Sequence, residues 1–467
     1  MEFPSLLTRI QEALDSELAP AIQRTQQALQ ADAEGKDFET VDIEGVVHAV
    51  LAQVAPAVMA EAVARVDGGR TGNQHRCRCG GTLRFVGKRL RWFGFLFGAI
   101  GLTRAYFHCQ QCKSGRIPLE QVWGLQEGFY AMGKRFLSPR AQRVLVTLCT
   151  ALPYPEAQAC FVLLTGLQVS AMMGWRLVQK LGRQLRAQEE AGESGVPLAA
   201  AARPGKGRGK LRWLVSADGI FVGFWNETTR RARKGAAAAA DTARKKKKIV
   251  WQEVRVGVVA LLDAKGKVAR GSQWYVARLV NAASFRPQLR RVAVARGVRK
   301  IDVVAVVTDG AGWLLALWLR HFGWAVGIRD FYHACEHLTA LAAALHGEGS
   351  QKAARWAKQM RRRLKRGEMS TLLTEWDAMQ QKPVDAKAWE REKNHFRKHP
   401  EIMAYDQFRK EKLPIGSGSV EGGCKNVVGS RFKRSGARWS KEGFHNLIPL
   451  RARYCSGAPI MPEPQKC

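Results

Sequence analysis

Acidic residues are scarce in this chain of 467 residues: 40 Asp+Glu stand against 75 Lys+Arg, a formal net charge of +35. Such a field excludes strongly cationic partners and favours polyanions, with nucleic acid first and an anionic membrane surface second. Long apolar runs are missing too. No stretch of eighteen or more apolar residues could span a bilayer. The opening "MEFPSLLTRI" lacks the basic start and apolar core of a signal peptide. The expectation is a soluble intracellular protein with no membrane partner. The ten cysteines are scattered and only Cys77, Cys79, Cys109 and Cys112 cluster, a pattern that suggests metal more than disulfides. Disorder is excluded by a hydrophobic content of 46%, enough for at least one sizeable core. Basic residues are scarce only in residues 1–67, with four against twelve acidic ones. Those residues are therefore read as an acidic helical region that packs on the protein or on a second copy, not on DNA.

Beyond that region the spacing divides the chain. Residues 68–125, with alternating aromatic and basic residues between two cysteine pairs, read as a β-hairpin/zinc-ribbon module. The pair Cys109-x-x-Cys112 has knuckle spacing, whereas Cys77-x-Cys79 is tighter; the four thiols are either zinc ligands or reduced, non-ligating groups. Residues 126–188 are helical, with a break at Gly166, a cap at Ser170 and a second helix bearing Arg176, Lys180 and Arg183. This is either a helix-turn-helix-like DNA-binding region or a packed helical hairpin. Residues 189–210 form a Gly/Ala/Pro linker. From 211 to 330 come short β-branched runs, "LRWLVSADGIFVGFW", "VRVGVVALLD", "SQWYVARLV", "IDVVAVVTDG" and "WAVGIRD", with one helix before the fourth. Between the first two lies a basic, alanine-rich excursion, either a flexible tip touching phosphates or a solvated loop. Residues 331–413 read as a basic helical insertion, and residues 414–455 as a last core helix with a basic tail. The fold expected is an α/β core with a mixed sheet and a helical insertion, preceded by helical and zinc-ribbon/helix-turn-helix regions.

Two acids fall at strand positions expected near the sheet's ligand-binding edge. Asp218 lies within the first strand, and Asp309 ends the fourth ahead of a helix. Either alone is as well explained by a turn or a cap. A third acid, Glu421, is the only one in "GSGSVEGGCKNVVGSRFKRSGARWS" (416–440), among the bases Lys425, Arg431, Lys433, Arg434 and Arg438. Ser417 or Ser419 would cap a helix there, placing Glu421 in its first turn. An acid in the first strand, one ending the fourth and one on a later helix follow the order of RNase H-like nucleases. Three hard oxygen donors suit magnesium or manganese.

The run of features resembles the insertion-sequence transposases of the ISKra group, within the DDE superfamily. The matching stretches are "RAYFHCQQC" followed by "IPLEQVWGL", "SADGIFV", "EVRVGVVALLD", "VVTDGAGWL", "RDFYHACEHL", the 416–440 stretch and "LRAR" at 450–453, spanning about residues 77–453. The resemblance implies an RNase H-like catalytic core in which Asp218, Asp309 and Glu421 take the DDE roles and hold the divalent metal. It implies an enzyme that binds the terminal inverted repeats of double-stranded element DNA, cleaves there, and joins the freed 3′ ends to target DNA. Two ends held together call for a homodimer in a synaptic complex, and the setting would be cytoplasmic and nucleoid-associated in a prokaryote. A nuclease without strand transfer, or a non-catalytic repressor derived from a transposase, are the alternatives. In "DFYHACEHL", His333 and His337 share a helix face; they either support the carboxylates, ligate a second metal or simply pack. In the tail, Trp439 either stacks on an exposed base while Arg438 meets phosphate and supports the site, or anchors the tail to the core.

Overall fold

The computed structural model describes residues 58–122, 130–132, 135–190, 210–226 and 249–461, with single positions at 23, 56 and 197. The acidic residues up to 55, most of the 189–210 linker and the basic excursion at 235–248 lie outside the described residues. Two compact units divide the chain, Met1–Val178 with Ile460–Cys467, and Gln179–Pro459. The division falls inside a helix rather than in the linker.

In the first unit, β1 (Gln74–Arg76) pairs antiparallel with β2 (Thr82–Phe95), which forms a long hairpin with β3 (Gly98–Cys109). β4 (Gly115–Arg116) flanks β3, and β6 (Arg135–Leu137), itself paired with β5 (Tyr130–Met132), runs parallel to β2. Ile100 and Leu102 on β3 are buried with Phe93, Leu119 and Val63. Further along β3 the buried positions become Ala105, Phe107 and Cys109, a change of phase. The two sets lie on opposite faces of β3, and a bulge on β2, where the register slips between Phe85 and Gly87 and Gly87 takes φ 150°, lies close to the changeover. The hairpin thereby supports two small cores, one beside the cysteines. Helices α1 (Pro139–Ala151) and α2 (Tyr154–Thr165) follow. Gly166, at φ 66°, ends α2, and the Ser170 hydroxyl accepts from the Met173 amide at the start of α3 (Ala171–Glu190), as the sequence led us to expect.

The second unit is built on a five-stranded mixed sheet. β7 (Arg212–Trp225), β8 (Ile249–Leu261) and β9 (Trp274–Arg278) form an antiparallel meander, while β10 (Val303–Thr308) and β11 (Val326–Arg329) add in parallel, giving the order β11-β10-β7-β8-β9. Period-two alternation assigns the faces. Trp213, Val215 and Ala217 pack on one side with Phe285 and Leu289 of α4 (Ala282–Arg296) and with Leu314 and Leu317 of α5 (Gly312–His321). Leu214, Ala305, Val307 and Ile328 face the other side, under α6 (Phe331–His346).

Helices α7 (Gln351–Lys365), α8 (Met369–Asp377), α9 (Ala386–Arg397) and α10 (Tyr405–Lys410) continue from α6. They bury Trp376, Trp389, Phe396 and Tyr405 in the same cluster as Leu214 and Ala305. The helical run from 331 to 413 therefore shares its core with the sheet rather than folding as a body of its own. The chain closes with a helix, α11 (Gly418–Gly423), which passes through a π-helical turn (Cys424–Gly429) into Ser430–Phe432, and with α12 (Lys441–Cys455). The C-terminal half of α3 lies on α12. Gly182 sits directly on the Asn446 carbonyl, where any side chain would clash, and Gln179 accepts from the Asn446 amide group at 2.7 Å.

Candidate active site and metal centre

Alternation along the strands decides where the acids lie. Asp218 follows Leu214 and Ser216 on β7, so it shares the face covered by α6. Asp309 follows Ala305 and Val307 on the adjacent parallel strand, in the same phase. Ser216 pairs with Val307, and its hydroxyl donates to the Val307 carbonyl at 2.8 Å, so each acid stands two residues beyond a fixed register point. Their charges are felt mutually: burial and then Asp309 raise the Asp218 carboxyl above its ordinary value, against the Gly219 amide, which donates to Asp218 Oδ1 at 2.6 Å. The Ala311 amide donates to Asp309 Oδ1 at 2.6 Å, which fixes the turn into α5.

Glu421 reaches this face on α11. The helix crosses the sheet closely because Gly423 has no side chain; a Cβ there would meet the Tyr275 ring of β9 at 2.8 Å and Val256 at 3.5 Å. Val256 is the cross-strand partner of Asp218. One turn of α11 therefore lies over the strand next to Asp218. Gly422, by contrast, faces open space. Cys424, at the start of the π-turn, donates its thiol to Asp218 Oδ2 at 3.7 Å; burial, then Asp218 and Glu421, push its pKa well above the ordinary thiol range. Irregular helix of this kind costs hydrogen-bond geometry and marks functional sites.

Ser417 does not cap α11 as expected. Its hydroxyl instead donates to Glu421 Oε1 at 2.5 Å, while its amide donates to Asp330 Oδ2. Asp330 is fully buried at the end of β11, and its other oxygen accepts from the Tyr332 and His333 amides. Asp330 thus caps α6 and holds the loop that orients Glu421. Sequence reasoning missed it, although an Asp directly before a helix is a cap signal. Arg329, also missed and 1% exposed, donates to the His395 and Lys398 carbonyls and tethers the helical run to the sheet.

The two histidines separate. His333 lies in the field of the acids: burial lowers its pKa, but Asp330, Glu336 and Asp309 outweigh it and the net shift is upward. His337 turns away, bonded to Glu392 at 2.7 Å and stacked on His395 with ring centroids 3.6 Å apart. It packs against α9 and makes no described contact with the three acids.

The tail also sorts its residues. Lys425, Lys433, Arg434 and Arg438 are exposed. Arg431 is not: at 3% exposure, with its guanidinium over the Trp439 ring, it is unavailable to DNA. Trp439 donates to the Phe432 carbonyl at 3.1 Å, and its own carbonyl accepts from the Trp225 amide at 3.0 Å. Those contacts correct a base-stacking role to an anchor that pins the tail to β7. Arg438 donates to the Ala437 carbonyl and has no described contact with the acids. On α3, Arg176, Lys180 and Arg183 are exposed, but Arg183 approaches Glu442 at 3.5 Å and the residues beyond 178 belong to the second unit. That half of the helix packs on α12.

In the first unit the four cysteines form the only group of three or more candidate ligand side chains, among the described residues, whose ligand atoms all lie within 4.8 Å of one another. Cys77 and Cys112 are 3.5 Å apart, and Cys79 and Cys109 3.7 Å. A tetrahedral zinc with bonds of about 2.3 Å separates its sulfurs by about 3.8 Å, so the cluster could hold such a metal. The tight Cys77-x-Cys79 pair works because Gly80, at φ 87°, turns the chain and the Cys77 amide donates to the Gly81 carbonyl at 2.8 Å. The Ser114 hydroxyl, 3.0 Å from Cys112, helps to draw that thiol down to about 6, towards the thiolate that a metal binds. The three carboxylates are not gathered as closely as the thiols. Mutual repulsion opposes such an approach. No helix among the described residues is long and apolar enough to cross a membrane. Compared with protein-family models and with curated proteins, the chain finds no match.

Proposed function

We propose that this chain is a DNA transposase with an RNase H-like core, cutting phosphodiester bonds at Asp218, Asp309 and Glu421. One observation carries the reading. In a chain with 75 basic residues, no ion pair or side-chain hydrogen bond joins any of these three acids to a Lys or Arg among the described residues. Structural acids in so basic a chain would be expected to find cations; three left without them, one with a raised pKa, suit a divalent ion. The strand order, with three antiparallel strands and two parallel additions, supports the RNase H-like assignment. The donors are all hard oxygens, which suits magnesium or manganese and not the softer metal of the thiol cluster. Bound by the three carboxylates, the metal would supply Lewis-acid assistance to the attacking and leaving oxygens.

The chain's own residues do the rest. Ser417 fixes the rotamer of Glu421, and Asp330 fixes Ser417. His333, with its raised pKa, offers partial positive charge beside the acids, and Lys425, Lys433 and Arg434 present exposed cations for phosphate. Hydrolysis at an element end frees a 3′-hydroxyl, and its attack on target DNA exchanges one phosphodiester for another, so no external energy source is needed. The partner is double-stranded DNA, and two ends held together call for two copies of the chain.

Asp218→Ala, Asp309→Ala and Glu421→Ala are expected to abolish magnesium-dependent cleavage of a labelled element end while leaving end binding intact. Cleavage retained in all three variants refutes the assignment. A plasmid target in the same assay separates a transposase, which yields joined product, from a nuclease, which yields cut product, and from a repressor, which only binds.

A further inference from the structure

We infer that the second unit carries a separate nucleotide-binding pocket along the outer edge of β9, distinct from the three acids. β9 is the last strand of its sheet, and a cavity of about 820 Å³ opens beside it between α4, α12 and the end of α3. That volume lies within the roughly 300–1,000 Å³ of small-ligand sites and is far larger than a bare phosphate needs. The Tyr275 ring points to Gly423 on the acid side, whereas Trp274 and Val276 belong to the opposite core. The pocket therefore lies at the outer edge of β9, where Tyr275 also lines it, and none of the three acids is among its lining residues.

Its charge identifies the ligand. Five arginines line it, Arg186, Arg278, Arg290, Arg291 and Arg453, against Glu189 and Glu190. Glu189 is taken by Arg278, and Glu190 stands 3.8 Å from Arg186. No carboxylate lies within ion-pair distance of Arg290, Arg291 or Arg453 among the described residues. Two of their donors, Arg290 Nη1 and Arg453 Nε, are buried without a hydrogen-bond acceptor, although the Arg290 guanidinium lies over the Phe322 ring at 5.3 Å and Arg453 feels the charge of Glu189. Buried donors left unpaired are costly, so the site is poised for an anion with several acceptor oxygens. Burial, with Arg186, Arg278 and Lys441 around it, lowers the His445 pKa, so this lining imidazole is neutral at pH 7 and can face a ring without adding charge. Val280, Val292 and Pro449 supply apolar wall. Phosphate on the arginines and a base on that wall describe a nucleotide, either free or within an unpaired DNA strand.

The inference does not require the acids to be catalytic. The test uses the full chain in magnesium-free buffer, a fluorescein-labelled fifteen-residue oligothymidylate read by anisotropy, and ATP as competitor. Arg291→Glu, on the exposed face of α4, and Arg453→Gln are each expected to weaken oligothymidylate binding by about tenfold, and to lower the salt slope by about one per arginine lost. The control Arg355→Glu, an exposed charge on α7 outside the pocket, is expected to weaken it far less. Competition by ATP assigns the pocket to free nucleotides as well; loss in the variants without competition assigns it to a strand. Binding unchanged in both variants, or an equal loss in Arg355→Glu, overturns the pocket. Arg291→Glu suffices if Arg453→Gln fails to fold. The readout is binding in magnesium-free buffer, so failure of the cleavage reading leaves this result untouched.

Discussion

Ser417→Ala removes one oxygen from a position that touches no substrate in the proposed reaction, yet it should impair the site sharply. The Ser417 hydroxyl is the only described hydrogen-bond donor to Glu421, whereas the Ser417 amide is held separately by Asp330. The loop therefore stays in place when the hydroxyl goes, and only the orientation of Glu421 is released. A hydrogen bond to a charged acceptor contributes about 1.5–3 kcal/mol. Groups that orient a metal ligand typically change affinity or activity by about 10–100-fold when lost. The expected result is a divalent-ion requirement for end cleavage shifted upward by about 10–100-fold, with end binding and melting temperature close to wild type. Manganese titration followed by the rise in melting temperature should shift equally, and that readout needs no turnover. Ser417→Thr, which keeps the hydroxyl, should recover most of the loss. Wild-type manganese dependence in Ser417→Ala would refute the orienting role.

Two further outcomes follow from the same physical accounting. Chelation of the thiol cluster should expose four additional thiols to a colorimetric thiol reagent, and metal analysis should find one zinc per chain; Cys109→Ser, at a buried position, should lose that zinc and lower the melting temperature of the first unit. His395 has a pKa depressed to about 3, by burial first and then by Arg329, His337 and Lys398. Its folded pKa lies below its unfolded value near 6.5, so the unfolded chain binds the extra proton and stability falls as the pH drops from about 6.5 towards 3. Urea midpoints at pH 7 and pH 5 should therefore differ less in His395→Gln than in the wild type.

What could be read from the sequence depended on whether the signal was local. The strands and α4 were legible because short, continuously buried β-branched runs are bounded by turns, and β7, β9, β10 and β11 fall where those runs lie. The knuckle cysteines were legible because metal ligands come in short pairs, and even the tight Cys77-x-Cys79 needs only Gly80 and Gly81 to fold. Asp218 stood out as a charge inside an apolar strand, and Asp309 as one directly after another.

Long-range contacts left no such trace. Arg431 and Lys433 look alike in the chain, yet one is buried against Trp439 and the other exposed, because that depends on where the tail meets β7. His333 and His337 sit four apart on one helix, but α9 claims only His337. Asp330 and Ser417 are 87 residues apart, and nothing in either neighbourhood announces the other. Once joined, they explain the lone carboxylate in a basic tail. Glu421 is held by a hydroxyl and a buried Asp rather than by any of the five bases around it in sequence, so its negative charge is preserved for whatever the acid face binds. The same contrast separates the two proposals. At the acid face carboxylates lack cations, and along the edge of β9 three of the five arginines, Arg290, Arg291 and Arg453, have no ion pair among the described residues. Folding alone gives no reason to leave both sets unmatched in one compact unit, since pairing them would relieve the desolvation cost of each. A ligand of opposite charge at each place does give one: a divalent cation for the acids and a phosphate for the arginines.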